Sequence, residues 1–187
     1  MISQHESTQY PDKEQCLAML HAYGTPPHVI AHCTAVADVA VKVAEALNEH
    51  DFHLNVPLIL CAGMLHDIAR KEKDHPKVGA DYLQAKGLPL AADIVRDHMK
   101  RPITEDVYAS TEADLVCLGD RTVLEDHYVG PDRRMAYIID KVRRRSGEDT
   151  DKITAIILEK KADLKRYIAA LEEIIGMSMN DLIQGGR

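Results

Sequence analysis

An all-α bundle is the fold class this sequence predicts, on three observations. Apolar residues recur at helical spacing in nearly every segment. No convincing run of period-two alternation and no internal repeat is present. The breaks between segments fall at Gly- and Pro-containing punctuators such as Gly24-Thr25-Pro26-Pro27 and Ser146-Gly147-Glu148-Asp149. With 187 residues, 45% apolar and 28% charged, the chain is long enough to bury a real core as one domain.

The first helix is expected from Pro11 to Tyr23, with Pro11 at its first position and Gly24 as its stop. In the next helix, Val29, Cys33, Val36, Ala40, Val43, Ala44 and Leu47 form one apolar stripe, the mark of a helix lying against a core. A polar loop, Asn48 to Asn55, precedes a helix opened by Pro57. Its run PLILCAGML is apolar nearly all round and therefore buried. After a charged loop from Lys71 to Pro76, helices are expected over about Lys77 to Lys86 and Leu90 to Met99. Arg101 to Ala109 reads as a loop, and Ser110 or Thr111 can cap a helix through Leu118, extending toward Val123. Leu124 to Gly130 reads as irregular, and Pro131 opens a helix to about Arg145. The last long helix, Lys152 to Ile175, carries Ile153, Ile156, Ile157, Leu164, Ile168, Leu171, Ile174 and Ile175. This stripe closes the core or pairs with a second copy, which leaves a homodimer open. Ser178 to Gln184 adds one short turn. The whole is a single domain, with its core at about 14–142 and C-terminal helices at about 149–184.

Charge and composition narrow the function. A net charge of −7 disfavours a general binder of nucleic acid polymers, which needs a basic face. Aromatics are 4% of residues, with no Trp and a single Phe, so stacking platforms for single strands are scarce. The longest apolar run, Val56 to Leu65, is too short to span a bilayer, and the polar N-terminus lacks a secretory core, so no membrane association is expected. Cys16, Cys33, Cys61 and Cys117 form no CxxC pair and read as small core hydrophobes in a reducing cytoplasm.

Chemistry concentrates in a few of the ten histidines. His5, His50, His53 and His127 lie in polar stretches and read as solvated, and His21 and His28 flank a turn. His66-Asp67 differs, because it emerges from an apolar helix. An ionised carboxylate there needs a cation, either a basic side chain or a metal. Adjacent helical side chains point about 100° apart, yet they can converge on an ion between them, and a carboxylate can bridge two ions. His32 lies near the start of the preceding helix. A short connection makes the two helices antiparallel neighbours, which brings His32 and His66 to the same end of the bundle. Asp120 likewise interrupts an apolar helix at its far end. Imidazole plus carboxylate suits iron, manganese, nickel or zinc.

His32, then His66-Asp67, then Asp120 resembles the H…HD…D signature of the HD-domain metal-dependent phosphohydrolases. The segments HVIAHCTAVADVAVKVAEAL, CAGMLHDIAR, HPKVGADYL, IVRDHM and DLVCLGDRTV resemble, in order, the helices of small bacterial HD proteins, over about Glu14 to Val142. The resemblance implies an all-α fold and hydrolysis of phosphomonoesters or phosphodiesters, commonly of nucleotides. It implies His32, His66, Asp67 and Asp120 as ligands of a first metal. In the dinuclear branch, histidines placed as His75 and His98 hold a second metal, with Asp67 bridging. Two divalent ions are therefore favoured over one, acting through a metal-activated water with Asp67 at its centre.

Basic side chains should neutralise the phosphate. Arg70 occupies the place where the family often has Lys or Arg, and Arg101 and Arg121 follow His98 and Asp120. The GYP signature of the cyclic-di-GMP phosphodiesterases is absent, and Ile68-Ala69-Arg70-Lys71 stands where the ppGpp hydrolases carry acidic residues. The expectation is a cytoplasmic phosphohydrolase acting on a small phosphorylated molecule, most simply a nucleotide. A diadenosine tetraphosphate hydrolase-like enzyme, a mononuclear nucleotidase, a non-catalytic nucleotide-binding sensor and a plain helical scaffold remain as alternatives.

Overall fold

A 22-residue helix, α2 (Pro27–Asn48), is the axis on which the computed structural model is built. The structure describes residues 10–104, 106–144 and 150–185. Every residue of the predicted apolar stripe of α2 is buried. Helix α2 packs most extensively on α3 (Val56–Leu65) and then on α6 (Glu112–Asp120). Both contacts are unusually close. A Cβ on Gly63 of α3 would stand 2.9 Å from Ala37 Cα, and one on Gly119 of α6 would stand 2.6 Å from the Val36 carbonyl oxygen. Missing side chains thus let three backbones meet at the level where the candidate ligands project.

Helix α1 (Lys13–Tyr23) starts two residues later than expected. Asp12 is the N-cap, with its carboxylate accepting from Gln15 N–H at 2.9 Å, so Pro11 lies outside the helix. Helices α4 (His75–Ala85) and α5 (Pro89–Asp97) form a pair, of which α5 packs on α3. Helix α4 begins at His75 rather than Lys77, which fixes that histidine in regular structure. One short 3₁₀ turn (Val107–Ala109) punctuates the loop before α6.

Helix α6 stops at Asp120, so Val123 lies beyond it. The stretch read as irregular contains a small antiparallel hairpin, β1 (Val123–Leu124) with β2 (His127–Tyr128), in the register Val123↔Tyr128 and Leu124↔His127. Two-residue strands are too short to show alternation, which is why periodicity missed them. Helix α7 (Gly130–Arg144) then pairs with α8 (Thr150–Ile175), and α9 (Met179–Gln184) closes the chain. The expected break at 146–149 and His5 lie outside the described residues.

The stripe on α8 divides in two. Leu164, Ile168 and Leu171 are buried in the core, and Tyr167 joins them, while Ile153 and Ile156 stay exposed. At about 1.5 Å per residue, a helix of this length outreaches the body of the bundle, so only its C-terminal half closes the core. Among the described residues, no helix is long and apolar enough to cross a membrane. All four cysteines are buried free thiols.

Candidate metal centre

Short turns, not long helices, present the central ligands. Helix α3 ends at Leu65, and the chain continues through tight turns, with Ile68 N–H on the Leu65 carbonyl at 3.1 Å and Arg70 N–H on that of Asp67 at 2.9 Å. His66 and Asp67 therefore leave the apolar helix facing inward, 1% and 6% exposed. His98 stands just past the end of α5, 3% exposed. His32 comes from the first turns of α2 and Asp120 from the last turn of α6.

The structure brings all six expected ligands together in two adjoining groups. His32, His66 and Asp120 each offer one ligand atom within 4.8 Å of the others, and so do Asp67, His75 and His98. Four imidazoles run in a row. His66 lies between His32 and His98, at centroid distances of 5.5 and 5.3 Å, and His75 follows His98 at 5.6 Å.

Asp67 joins the groups. Its Oδ2 faces His66 Nε2 at 3.8 Å, while Oδ1 faces His75 Nε2 at 3.1 Å and His98 Nε2 at 3.7 Å. Burial would raise its carboxyl pKa, but the surrounding histidines and Arg70 outweigh that and hold it well below the usual carboxylate range. Asp120 behaves alike: burial works to raise it, and His32, His66 and Arg134 hold it low. Burial lowers His66. For His98, burial also acts to lower it, but the Asp67 carboxylate and the Val95 carbonyl win and raise it.

Backbone carbonyls set the proton positions. His32 Nδ1 donates to the Glu125 carbonyl at 2.9 Å, His66 Nδ1 to that of Gly63 at 2.8 Å and His98 Nδ1 to that of Val95 at 2.7 Å. A carbonyl oxygen can only accept, so the neutral form of each ring would turn its Nε2 lone pair toward the carboxylates. Arg70 Nη1 donates to His75 Nε2 at 2.9 Å, so that nitrogen also offers a lone pair. His66 Nε2 and Asp67 Oδ1 are buried with no hydrogen-bond partner. Lone pairs facing ionised oxygens across 3–4 Å call for a cation between them. The residues thus fit divalent metal ions, and the backbone carbonyls bound to the Nδ1 atoms fix ring orientation as metal sites require.

Arg70 borders the cluster. Its Nε lies 3.5 Å from Asp67 Oδ2, and its side chain is 42% exposed. Arg101 and Arg121 do not reach the cluster, contrary to the expectation that they meet substrate phosphate. Arg101 makes a two-pronged pair with the buried Asp114, at 2.7 and 2.9 Å, and Arg121 donates to the Arg101 carbonyl. Asp114 needed a cation in that apolar setting, and Arg101 was the arginine in reach.

The basic residue that sequence reasoning missed is Arg134 on α7. Its Nε donates to the Asp120 carbonyl at 3.1 Å, and its Nη2 to Asp120 Oδ1 at 3.3 Å. The requirement that sent Asp67 in search of a cation applies equally to Asp120, and that was the available signal. A cleft of about 900 Å³ opens from the cluster. It is bordered by His32, Asp67, His98 and Asp120 on one side, the hairpin turn Glu125 and Asp126 on another, and α7 on a third. Neither Arg101 nor Arg121 lines it. Cys33 stays a neutral thiol beside the cluster, because burial pushes its pKa up.

Similarity to known proteins agrees with this architecture. A tRNA (cytidine(56)-2'-O)-methyltransferase of Thermoplasma volcanium is 25% identical over 188 residues, covering 92% of this chain and 50% of the relative. The protein of that name from Picrophilus torridus is 22% identical over the same shares. An uncharacterized protein of Methanocaldococcus jannaschii is 26% identical over 147 residues, 70% of this chain and 85% of the relative. The chain thus spans about half the length of the two named methyltransferases. No solved structure matches it. The family model described as HD domain matches residues 29–175, a span that holds all six clustered residues and most of the chain, and the protein therefore belongs to the HD domain family.

Proposed function

We propose that this protein is a metal-dependent phosphohydrolase acting on a small phosphorylated molecule of the nucleotide class. One observation carries the reading: Asp67 turns its two oxygens to two separate sets of imidazole nitrogens, the arrangement of a carboxylate shared between two cations. Divalent iron, manganese, nickel or zinc bound there would polarise the phosphate and lower the pKa of a water. His32, His66 and Asp120 would hold one ion, His75 and His98 the other, with Asp67 between them.

The chain's own residues do the rest. Arg70 orients His75 and Asp67 while its exposed edge offers N–H donors to phosphate oxygens. Arg134 fixes Asp120 and stands at the cleft edge, where Arg101 and Arg121 were expected. In the overall step, water oxygen bonds to phosphorus, the ester or anhydride oxygen leaves, and that oxygen takes up a proton. The names of the two methyltransferases describe proteins twice as long as the matched part. Those names describe methyl transfer to tRNA, and the reading rests on the residues of the cluster instead. Four buried free thiols suit a reducing cytoplasm.

Metal content per chain, measured on protein purified without chelator, tests the reading together with a phosphate-release panel. The expected result is about two ions in the wild type, about one after His75→Ala and almost none after His32→Ala. One ion unaffected by His75→Ala turns the reading to a mononuclear nucleotidase. No ion and no hydrolysis, with nucleotide still bound, turns it to a sensor.

A further inference from the structure

The cleft is larger than the metal cluster requires. Its volume of about 900 Å³ lies near the top of the range of about 300–1,000 Å³ usual for small-ligand sites. Its walls are chemically ordered. Along α7, Arg134, Ile138 and Lys141 recur at i, i+4 and i+7 and share the face that borders the cleft. Arg134 marks the cluster end through Asp120, and Lys141 stands two turns, about 10 Å, further out. Lys141 is exposed and has no ion pair among the described residues, whereas Arg144 on the same helix is paired with Asp140. Between the two cations lie Ile138 and the ring of Tyr137, which is 44% exposed and is a surface on which a flat ring can stack. The opposing hairpin turn presents Glu125 and Asp126, which accept hydrogen bonds and repel anions. That wall suits hydroxyl and amine donors and confines phosphates to the side of α7.

We infer that the cleft takes a phosphate–nucleoside–phosphate unit, with the scissile phosphate at the His/Asp cluster and the second phosphate at Lys141. The inference rests on the phosphohydrolase reading for which phosphate is cleaved. Two sources share this chemistry, a free nucleoside bisphosphate and the 5'-terminal nucleotide of a short strand.

The test compares adenosine 5'-monophosphate, adenosine 3',5'-bisphosphate and the 5'-phosphorylated diadenosine dinucleotide on the full-length, manganese-loaded protein. Affinity is read as Kd, or as KM where turnover occurs, with phosphate release followed in the same samples. The bisphosphate should bind about fivefold tighter than the monophosphate, and that ratio should fall to near one in both Lys141→Ala and Lys141→Glu. A dinucleotide that matches the bisphosphate assigns the strand terminus as the source, and a weaker one assigns the free bisphosphate. A ratio near one in the wild type, or one that survives both substitutions, overturns the inference. Phosphate release with a ratio near one removes the second-phosphate site and keeps the hydrolase. A Lys141-dependent ratio with no release from any of the three removes the hydrolase and keeps the ligand class.

Discussion

The two long walls of the cleft are built on different principles. The inner wall comes from α2, α6 and the turns that follow α3 and α5. Among its functional side chains His66, Asp67 and His98 are buried and His32 and Asp120 half-buried, with backbone carbonyls holding the rings of His32, His66 and His98. The outer wall is α7, which packs chiefly on α8 and presents long side chains to solvent, Arg134 excepted. Metal ligands tolerate little displacement, so they sit where close packing and satisfied hydrogen bonds leave one arrangement. A wall that meets the variable part of a substrate needs reach more than rigidity, and exposed Lys and Tyr side chains supply it. The comparison teaches that chemistry and selectivity have been placed on elements of unlike burial.

The harshest way to break the inner wall is Asp67→Ala. Because Asp67 faces both histidine groups, metal content by elemental analysis should fall in both, and phosphate release should drop by at least about 10³-fold. If one ion stays bound at full occupancy, Asp67 is not shared. Next is Gly119→Ala, which puts a methyl 2.6 Å from a backbone oxygen of α2 and must push α6 away. Urea unfolding should show a loss of about 3 kcal/mol, the upper range for overpacking, and weaker metal binding should accompany it.

Asp114→Asn sharpens the contrast by sparing the cleft. Burial acts to raise the Asp114 carboxyl pKa, but Arg101 and Thr111 prevail and hold it below its ordinary value. A depressed carboxyl stabilises the fold above its unfolded pKa and loses that contribution as pH falls through its folded value. The wild type should therefore exceed the variant by about 2 kcal/mol at neutral pH, with the gap closing below pH about 4, while metal content stays equal. A gap that persists unchanged at pH 2 would contradict the pairing. The smallest expected effect belongs to the outer wall. Arg134→Lys keeps the charge but loses the two-pronged hold on Asp120. Manganese affinity should weaken by about tenfold, the low end for residues that orient a metal ligand, and circular dichroism should remain that of the wild type.

Much of the inner wall is legible in the sequence alone. The stripe on α2 and the apolar run of α3 announce buried helices, and a short connection makes them antiparallel. His66-Asp67 stands out because charge in an apolar run must be compensated. The helix of the outer wall is legible, but its place beside the cluster is not. Arg134 looks like any arginine on an amphipathic helix until α7 folds over Asp120, and Arg101 looks like a phosphate ligand until Asp114 claims it. The hairpin that delivers the Glu125 carbonyl to His32 is too short to leave a period in the sequence.

By itself, the sequence determined the helical class, the buried face of α2 and the residue types able to bind a metal, because periodicity and the cost of burying charge act locally along the chain. Only the tertiary structure decided which cations pair with which carboxylates, how Asp67 divides its oxygens between two histidine groups, and which helix walls the cleft. Those outcomes depend on contacts between residues on different elements, such as pairs 13, 14 and 88 positions apart, and nothing in the local pattern of either partner encodes them.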